Sequence, residues 1–286
     1  MPLLRRPTAR PGFTPLRVAA IDPVADRAVS IAFDVSAPEH AAHLDYLAGQ
    51  YLTLDATIDG ERVRQSYSLW TRPARARAEG LVRVAVAEIA GGRMSPWLAT
   101  KLAVGDTLAV LPPRGEFTYA AQPGPVRHGV IAGGSGITPV LAIMAEILAG
   151  DPEPTVDLVL ANRSRASAVL RDEVAALADE SAGRLTVTDV FSREKVAGQR
   201  FGRVDDALLD DVYGDPTEVD EWWICGPAGL LTLVEEWLAD RGVPAERVHR
   251  ERFTTTGPVD PLPERRTPAA ETETESESES ESESGA

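Results

Sequence analysis

Two glycine-rich turns carry the residue types that hold phosphate. In "HGVIAGGSGITPVLA" (128–142) an apolar run ends at Ala132, and Gly133, Gly134 and Gly136 precede Thr138-Pro139 and a second apolar run. Glycines let an anion approach the backbone, and the free amides and dipole at a helix start favour negative charge. The pattern predicts a helix over 138–149, with Thr138 as cap and Pro139 at the first position, where its missing N–H is not needed. In "AGGRMSPWL" (90–98) Gly92 precedes Arg93, Met94 and Ser95, and Ser95 is the expected N-cap of a helix over 95–102. The amides of residues 93–95, supported by the Arg93 guanidinium, would form a second diphosphate cradle. Each turn alone also reads as an ordinary strand-to-helix turn, and the first does not match the G-x-G-x-x-G spacing.

A third stretch, "RQSYSL" (64–69), offers what a flat heterocycle needs. In an extended strand Gln65 and Tyr67 share one face, Ser66 and Ser68 the other, and Leu69 follows. A tyrosine ring stacks on a planar ring system, and a serine hydroxyl reaches a ring nitrogen. The bland alternative is plain packing in a barrel strand. Cys225, the single cysteine, ends the apolar run "EWWICG" before Pro227 and reads either as an inert core residue or as part of a ligand pocket. His40, His43, His128 and His249 show no metal-ligand spacing and read as surface or structural, so no metal site is expected.

The elements that must position these residues fall into two rhythms. Residues 14–119 hold short alternating runs such as "AVSIAFDV" (28–35), "QYLTLDATI" (50–58) and "LVRVAVAEI" (81–89), broken by Gly and Pro. Strands so spaced predict an antiparallel barrel, interrupted by one short helix at 95–102. After "AAQPGPVRHG" (120–129), read as a linker, apolar runs alternate with helical ones: "VDLVLAN" (156–162), "SAVLRDEVAALADE" (167–180), "LTVTDVFS" (185–192), "EWWICG" (221–226) and "PAGLLTLVEEWLADRG" (227–242). That alternation predicts a parallel sheet covered by helices. The expected fold is therefore two domains, an antiparallel β-barrel over 10–120 and an α/β parallel-sheet domain over 125–253, followed by a disordered acidic tail over 254–286.

Composition narrows the partners. The 286 residues carry a formal charge of −15, with seven glutamates in the Ser/Thr-Glu repeat of residues 271–286. An acidic chain without a basic face is no nucleic-acid binder. The N-terminal stretch lacks an apolar core of signal-peptide length, and the best apolar run, broken by Glu146, is too short to span a membrane. A cytoplasmic protein without a membrane partner is the expectation. One cysteine cannot build an iron–sulfur cluster, so none is expected within these residues.

The ordered set RQSYSL, GGRMS, GGSGITP, ICGP and ERF resembles the ferredoxin–NADP reductase family over about residues 14–253, and in particular the reductase components of bacterial oxygenases, phenylacetyl-CoA epoxidase reductases among them. The resemblance implies an FAD-binding barrel and an NAD(P)-binding domain. It implies that Tyr67 stacks on the flavin and Ser68 bonds near its N5, with Gln65 and Leu69 alongside. Gly92, Arg93, Met94 and Ser95 would hold the FAD diphosphate, and Gly133, Gly134, Gly136 and Thr138 that of NAD(P). Cys225 and Gly226 would lie beside the nicotinamide, Glu251 near the reacting rings, and Phe253 over the flavin's other face. Hydride transfer would then need two rings stacked at roughly 3–3.5 Å.

The sequence departs from the family in two places. The family's Arg-x-Tyr-Ser has Gln65 at the arginine position, while Arg64, one residue early, falls on the wrong face of a regular strand. No cysteine cluster follows residue 253, where the related oxygenase reductases continue into a ferredoxin domain. The one-electron acceptor is thus expected to be a carrier protein, either a ferredoxin-like domain or a separate ferredoxin, serving an oxygenase complex; a stand-alone ferredoxin or flavodoxin reductase and a non-catalytic flavin scaffold are the alternatives. For the donor, no acid ends "VDLVLANRS"; instead Asn162, Arg163 and Arg165 stand there and Ser192 and Arg193 follow the third strand, which favours NADPH over NADH.

Overall fold

The computed structural model describes residues 12–119, 126–150 and 153–253. The acidic tail and the linker core at 120–125 lie outside them. In the first lobe β1 (Thr14–Ala25), β2 (Ala28–Asp34), β3 (Tyr51–Ile58), β4 (Glu61–Ser68), β5 (Leu81–Ala87) and β6 (Thr107–Val110) form one sheet in the order β4-β3-β6-β1-β2-β5. All pairings are antiparallel. Past β4, Leu69 bridges Val84 and the Trp70 N–H reaches the Arg83 carbonyl at 3.2 Å, so the outer strands meet and the sheet curls on itself. Its interior is filled by Leu16, Ile31, Phe33, Leu52, Leu54, Val84 and Leu98, all fully buried.

Two helices, rather than one, interrupt this lobe: α1 (Pro73–Glu79) and α2 (Met94–Thr100). The sequence PARARAE lacks an apolar stripe and gives α1 no periodic signal; Pro73 and Ala76 are its only buried residues. α2 begins one residue before the expected start, with Arg93 in the cap position. Ser95 does not cap it. Its hydroxyl instead accepts the Ile89 N–H at 3.0 Å and closes the Gly91-Gly92 turn from inside.

In the second lobe β7 (Arg127–Gly133), β8 (Thr155–Asn162), β9 (Leu185–Phe191), β10 (Arg200–Phe201), β11 (Glu221–Gly226) and β12 (Val248–Arg252) make a parallel sheet ordered β10-β9-β8-β7-β11-β12. The helices are α3 (Ile137–Ile147), α4 (Arg171–Glu180), α5 (Asp206–Tyr213) and α6 (Ala228–Asp240). The expected helix over 167–180 begins only at Arg171, because Leu170 adopts a left-handed conformation (φ 55°) and residues 164–168 form a turn held by Ser164 and Ser167. α5 has no counterpart among the sequence expectations, although Asp205 caps it in the usual way, its carboxylate accepting the Leu208 N–H at 2.9 Å.

α3 explains how the lobes are joined. Residues 137–144 are buried all round, which a surface helix would not tolerate. One side faces the parallel sheet. The other joins a core that includes Ala28, Ala48, Trp70 and Ala85 of the barrel, with Phe117 edge-on to Trp223 at 5.5 Å. Glu146, the charge that breaks the run, reaches back to Arg72 of the barrel at 3.0 Å. The lobes also share backbone hydrogen bonds, Asp26 N–H to Ala166 carbonyl (2.7 Å) and Leu170 N–H to Val24 carbonyl (3.1 Å).

The start of α3 lies directly on the end of β11. A Cβ on Gly136 would fall 2.2 Å from the Cys225 carbonyl oxygen. Gly136→Ala must therefore displace backbone, and we expect a loss of about 1–3 kcal/mol in urea unfolding; an unchanged midpoint would contradict this packing.

Candidate functional site

The C-terminal ends of β7, β8, β9 and β11 open onto a cleft of about 940 Å³. It lies where the chain order reverses about β7, the position at which open α/β sheets take ligands. Gly133, Gly134, Ser135, Gly226 and Pro227 line it centrally. Gly134 has φ +56°, a left-handed conformation that frees the turn to leave β7 without a side chain in the way. The expected cap is corrected here: Gly136 occupies the cap position, and Thr138 lies inside the helix, its buried hydroxyl donating to the Ser135 carbonyl at 2.9 Å. Thr138 thus braces the turn from within.

The barrel supplies the facing wall through Asp26, Arg27, Glu88 and Ile89. Arg27 donates twice to one Glu88 carboxylate oxygen, at 3.0 and 2.8 Å, so its positive charge is offset within that wall. The opposite end is cationic. Main-chain bonds from Ser192 N–H to Asn162 carbonyl (3.0 Å) and from Arg193 N–H to Arg163 carbonyl (2.8 Å) extend the β8–β9 ladder and set Arg163 beside Arg193. Arg203 joins them in the lining. None of these three guanidinium groups has a carboxylate partner among the described residues. Arg203 was not among the expected site residues. Arg203 follows β10, a two-residue strand too short to show a period, and only its parallel pairing with β9 carries the chain there.

At the other end of the cleft Phe253 is 41% exposed and lines it with Gly226. Next to Gly226, Cys225 is paired in register with Glu251 across β11 and β12. Burial, with a smaller contribution from the Glu251 charge, pushes the Cys225 thiol far up, so it is no thiolate nucleophile. Burial likewise raises Glu251 from 4.5 to about 7, and its Oε2 has no hydrogen-bond partner.

Gly133, Gly134, Arg163, Ser192, Arg193, Gly226 and Phe253 therefore share one cleft, with Gly136, Cys225 and Glu251 packed next to it. The barrel residues are placed apart from that lining. Register puts Tyr67 opposite Leu52 and Gln65 opposite Leu54. Tyr67 packs against the barrel core with its hydroxyl buried and unpartnered, and burial raises its phenol. Ser68 and Leu69 are buried where the barrel closes. Arg64 projects to the other face and pairs with buried Asp55 at 2.7 Å, its guanidinium 4.8 Å from the Phe13 ring centre. Gly92, Met94 and Ser95 form the turn and first residues of α2, and the Arg93 guanidinium is tied to Glu61 and to the Ile58 carbonyl (2.9 Å). That arginine is held by the β3–β4 hairpin. Among the described residues no cluster of metal-ligating side chains occurs, and no helix is long and apolar enough to cross a membrane. Of the histidines, His43 and His128 are buried, and His249 stacks on Trp223 at 4.2 Å.

Residues 18–119 match the oxidoreductase FAD-binding domain family and residues 130–236 the oxidoreductase NAD-binding domain family. The chain is 37% identical over 252 residues to a component of the 1,2-phenylacetyl-CoA epoxidase of Escherichia coli (strain K12), a match that covers 86% of this chain and 69% of that protein. It is 36% identical over 213 residues to the ferredoxin reductase component of 3-ketosteroid-9-alpha-monooxygenase of Rhodococcus rhodochrous, covering 73% of this chain and 56% of that one. The chain thus spans little more than half of the second relative. Among solved structures, the FAD/NAD-binding domain of nitric oxide dioxygenase from Vibrio cholerae O1 biovar El Tor superposes with a TM-score of 0.71 at 25% identity, over 84% of this chain and 98% of that one. An Amycolatopsis cytochrome P450 reductase gives 0.72 at 26% identity, over 85% and 71%.

A carboxyl group that titrates near 7 when folded and near 4.5 when exposed binds the proton more tightly in the folded chain. Its contribution to stability is full below about pH 4.5 and is lost as the pH rises through about 7. Glu251→Gln should remove that slope and stabilise the protein at pH 8 by on the order of 2 kcal/mol, read from urea unfolding at pH 5 and pH 8. Equal pH dependence in both proteins would refute the shift.

Proposed function

The chain belongs to the ferredoxin reductase-type family of FAD- and NAD-binding oxidoreductases, and from that premise we propose that this nicotinamide-dependent flavoprotein reductase takes electrons from NADPH and delivers them singly to a carrier protein of an oxygenase system. The observation that carries this reading is the gathering in one cleft of a glycine turn, three arginines without carboxylate partners among the described residues, and Phe253 beside the Cys225–Glu251 pair.

The residues present fit both groups. Tyr67 keeps a buried hydroxyl without a partner in the barrel lobe, and Glu251 an unpaired carboxyl oxygen in the other. Gly134, with open space where a Cβ would be, leaves backbone open to a diphosphate, whereas the same side of Gly133 is filled by Pro227 and Leu230. A bound flavin would supply the conversion between two-electron nicotinamide and one-electron carriers. In this reading the lobes at 10–120 and 125–253 divide the work. Tyr67 presents its ring to the flavin, with Gln65, Ser68 and Leu69 alongside. The 92–95 turn carries the FAD diphosphate through main-chain amides. Arg93 contributes less than its charge suggests, because Glu61 and Ile58 hold it. Cys225 and Gly226 shape the nicotinamide pocket, Phe253 covers the flavin, and Glu251, neutral below about pH 7, holds a proton on its carboxyl beside them.

NADPH is favoured over NADH because Arg163, Arg193 and Arg203, with Ser192, form a cationic pocket at the ribose end; a guanidinium binds phosphate bidentately. The acceptor is proposed to be a ferredoxin-like domain or separate ferredoxin feeding an oxygenase complex, in keeping with the epoxidase and ketosteroid monooxygenase relatives. The cytoplasm, where that donor is regenerated, is the proposed location.

Purified protein should be yellow and bleach anaerobically on addition of NADPH; a protein that takes up no flavin would sink the reading. Tyr67→Ala should lower FAD content in the purified protein, and an unchanged flavin-to-protein ratio would remove Tyr67 from the site. Arg193→Ala should raise KM for NADPH by about tenfold or more while leaving KM for NADH nearly unchanged, the scale of a lost charge-assisted hydrogen bond. Equal effects on both would remove the phosphate clamp.

A further inference from the structure

Asn162 ends β8, the second strand of the parallel lobe, and lines the cleft. It is 9% exposed, and its main-chain carbonyl is already bonded to the Ser192 N–H. Yet neither Nδ2 nor Oδ1 of its side chain has a hydrogen-bond partner. A buried donor and acceptor left unmade together are destabilising, so a side chain kept in this state points to a polar group that it meets in the cleft.

Its place between strands indicates which group. Gly133 is paired with Ala161, so Asn162 stands one strand away from the glycine turn and one residue further along. It is paired with Phe191, so Ser192 and Arg193 stand one strand beyond it. Neighbouring strands are about 4.8 Å apart. A dinucleotide whose diphosphate rests on the glycine turn and whose charged end reaches the arginines has its adenosine ribose over Asn162. In open α/β sheets an acid near this place accepts the free ribose 2′-hydroxyl of NAD. Here the chain carries the uncharged isostere of that acid, flanked by arginines that no carboxylate of the described residues engages.

Resting on the reading of the cleft as a dinucleotide site, we propose that Asn162 sets the choice of nucleotide: Nδ2 donates to a 2′-phosphate, Oδ1 accepts from the neighbouring ribose hydroxyl, and the neutral amide leaves the attraction of Arg163 and Arg193 for that phosphate unopposed. An aspartate of the same shape would keep the acceptor, lose the donor and repel the phosphate.

The test is calorimetric titration of the flavin-loaded full chain with adenosine 2′,5′-bisphosphate and with ADP, for the unmodified protein, Asn162→Asp and Asn162→Ala. Asn162→Asp should weaken bisphosphate binding more than tenfold and leave ADP binding equal or tighter. Asn162→Ala should weaken both by about fivefold, the loss of one or two neutral hydrogen bonds. Should Asn162→Asp fail to fold, Asn162→Ala alone decides: weakened binding supports the role, and wild-type binding overturns it. Equal losses for both ligands in Asn162→Asp, or wild-type affinity in both variants, overturn the inference while bisphosphate binding by the unmodified protein leaves the dinucleotide site standing. If the unmodified protein binds neither ligand, the dinucleotide reading falls and this inference falls with it.

Discussion

The Gly136 backbone rests against the Cys225 carbonyl with no room for a Cβ. Through this contact the first turn of α3, the ends of β7 and β11, and the Cys225–Glu251 pair become one rigid body. Gly226 also lies close to Gly133, though less tightly, since an added Cβ would be 3.0 Å from the Gly133 nitrogen. Close packing of two backbones has no side-chain freedom with which to absorb error. The glycine turn therefore has a fixed distance from the half-buried Glu251 carboxyl and the buried Cys225 thiol, and any larger residue at 136 would move both.

The same helix carries this order into the barrel. Because α3 is apolar on every side, it is stable only between two partners, and Ala28, Ala48, Trp70 and Ala85 supply the second. Trp70 is itself pinned, its indole N–H donating to Ser30 at 3.1 Å within the core. A lobe interface built this way resembles a domain interior more than a transient contact, which suits a cleft whose two walls must keep a set spacing. The backbone bonds through Asp26 and Leu170 act on the adjoining loop, the one that leads from Arg163 back to α4.

Charge in the chain follows a division between structural and free arginines. Arg62 and Arg64 converge on buried Asp55, Arg171 on Asp189, and Arg241 on Asp210, each within 2.6–2.8 Å. The buried Asp55 and Asp189 need such a partner, since an unpaired buried carboxylate would be far more costly than the pair, whereas Asp210 is exposed and its pair lies at the surface. The cleft arginines have no such partner among the described residues, so their field extends into the cleft from a chain that is otherwise strongly acidic. That contrast concentrates positive potential at one end of the cleft.

Short-range chemistry was legible in the sequence. Alternating runs announced the barrel, the change of rhythm after the 120–129 stretch announced the parallel sheet, and the glycines of 133–136 announced a turn at the end of its first strand, because period and turn propensity are properties of a few adjacent residues. Offset reasoning also put Arg64 on the face away from Tyr67, where register leads it to Asp55. The capping residues were misplaced for an equally local reason: Ser95 and Thr138 have the right side chains, but nearby acceptors and donors, the Ser135 carbonyl and the Ile89 N–H, took their hydroxyls. α1 and β10 left no trace, being too short or too polar to show a period. Tertiary structure alone decided what Gly136 touches, that Arg203 reaches the cleft, that Arg93 is held by Glu61, and that the amide of Asn162 is buried with nothing to bond. Each of those facts depends on strands far apart in the chain meeting in one register, and no local pattern encodes which distant atom will be opposite.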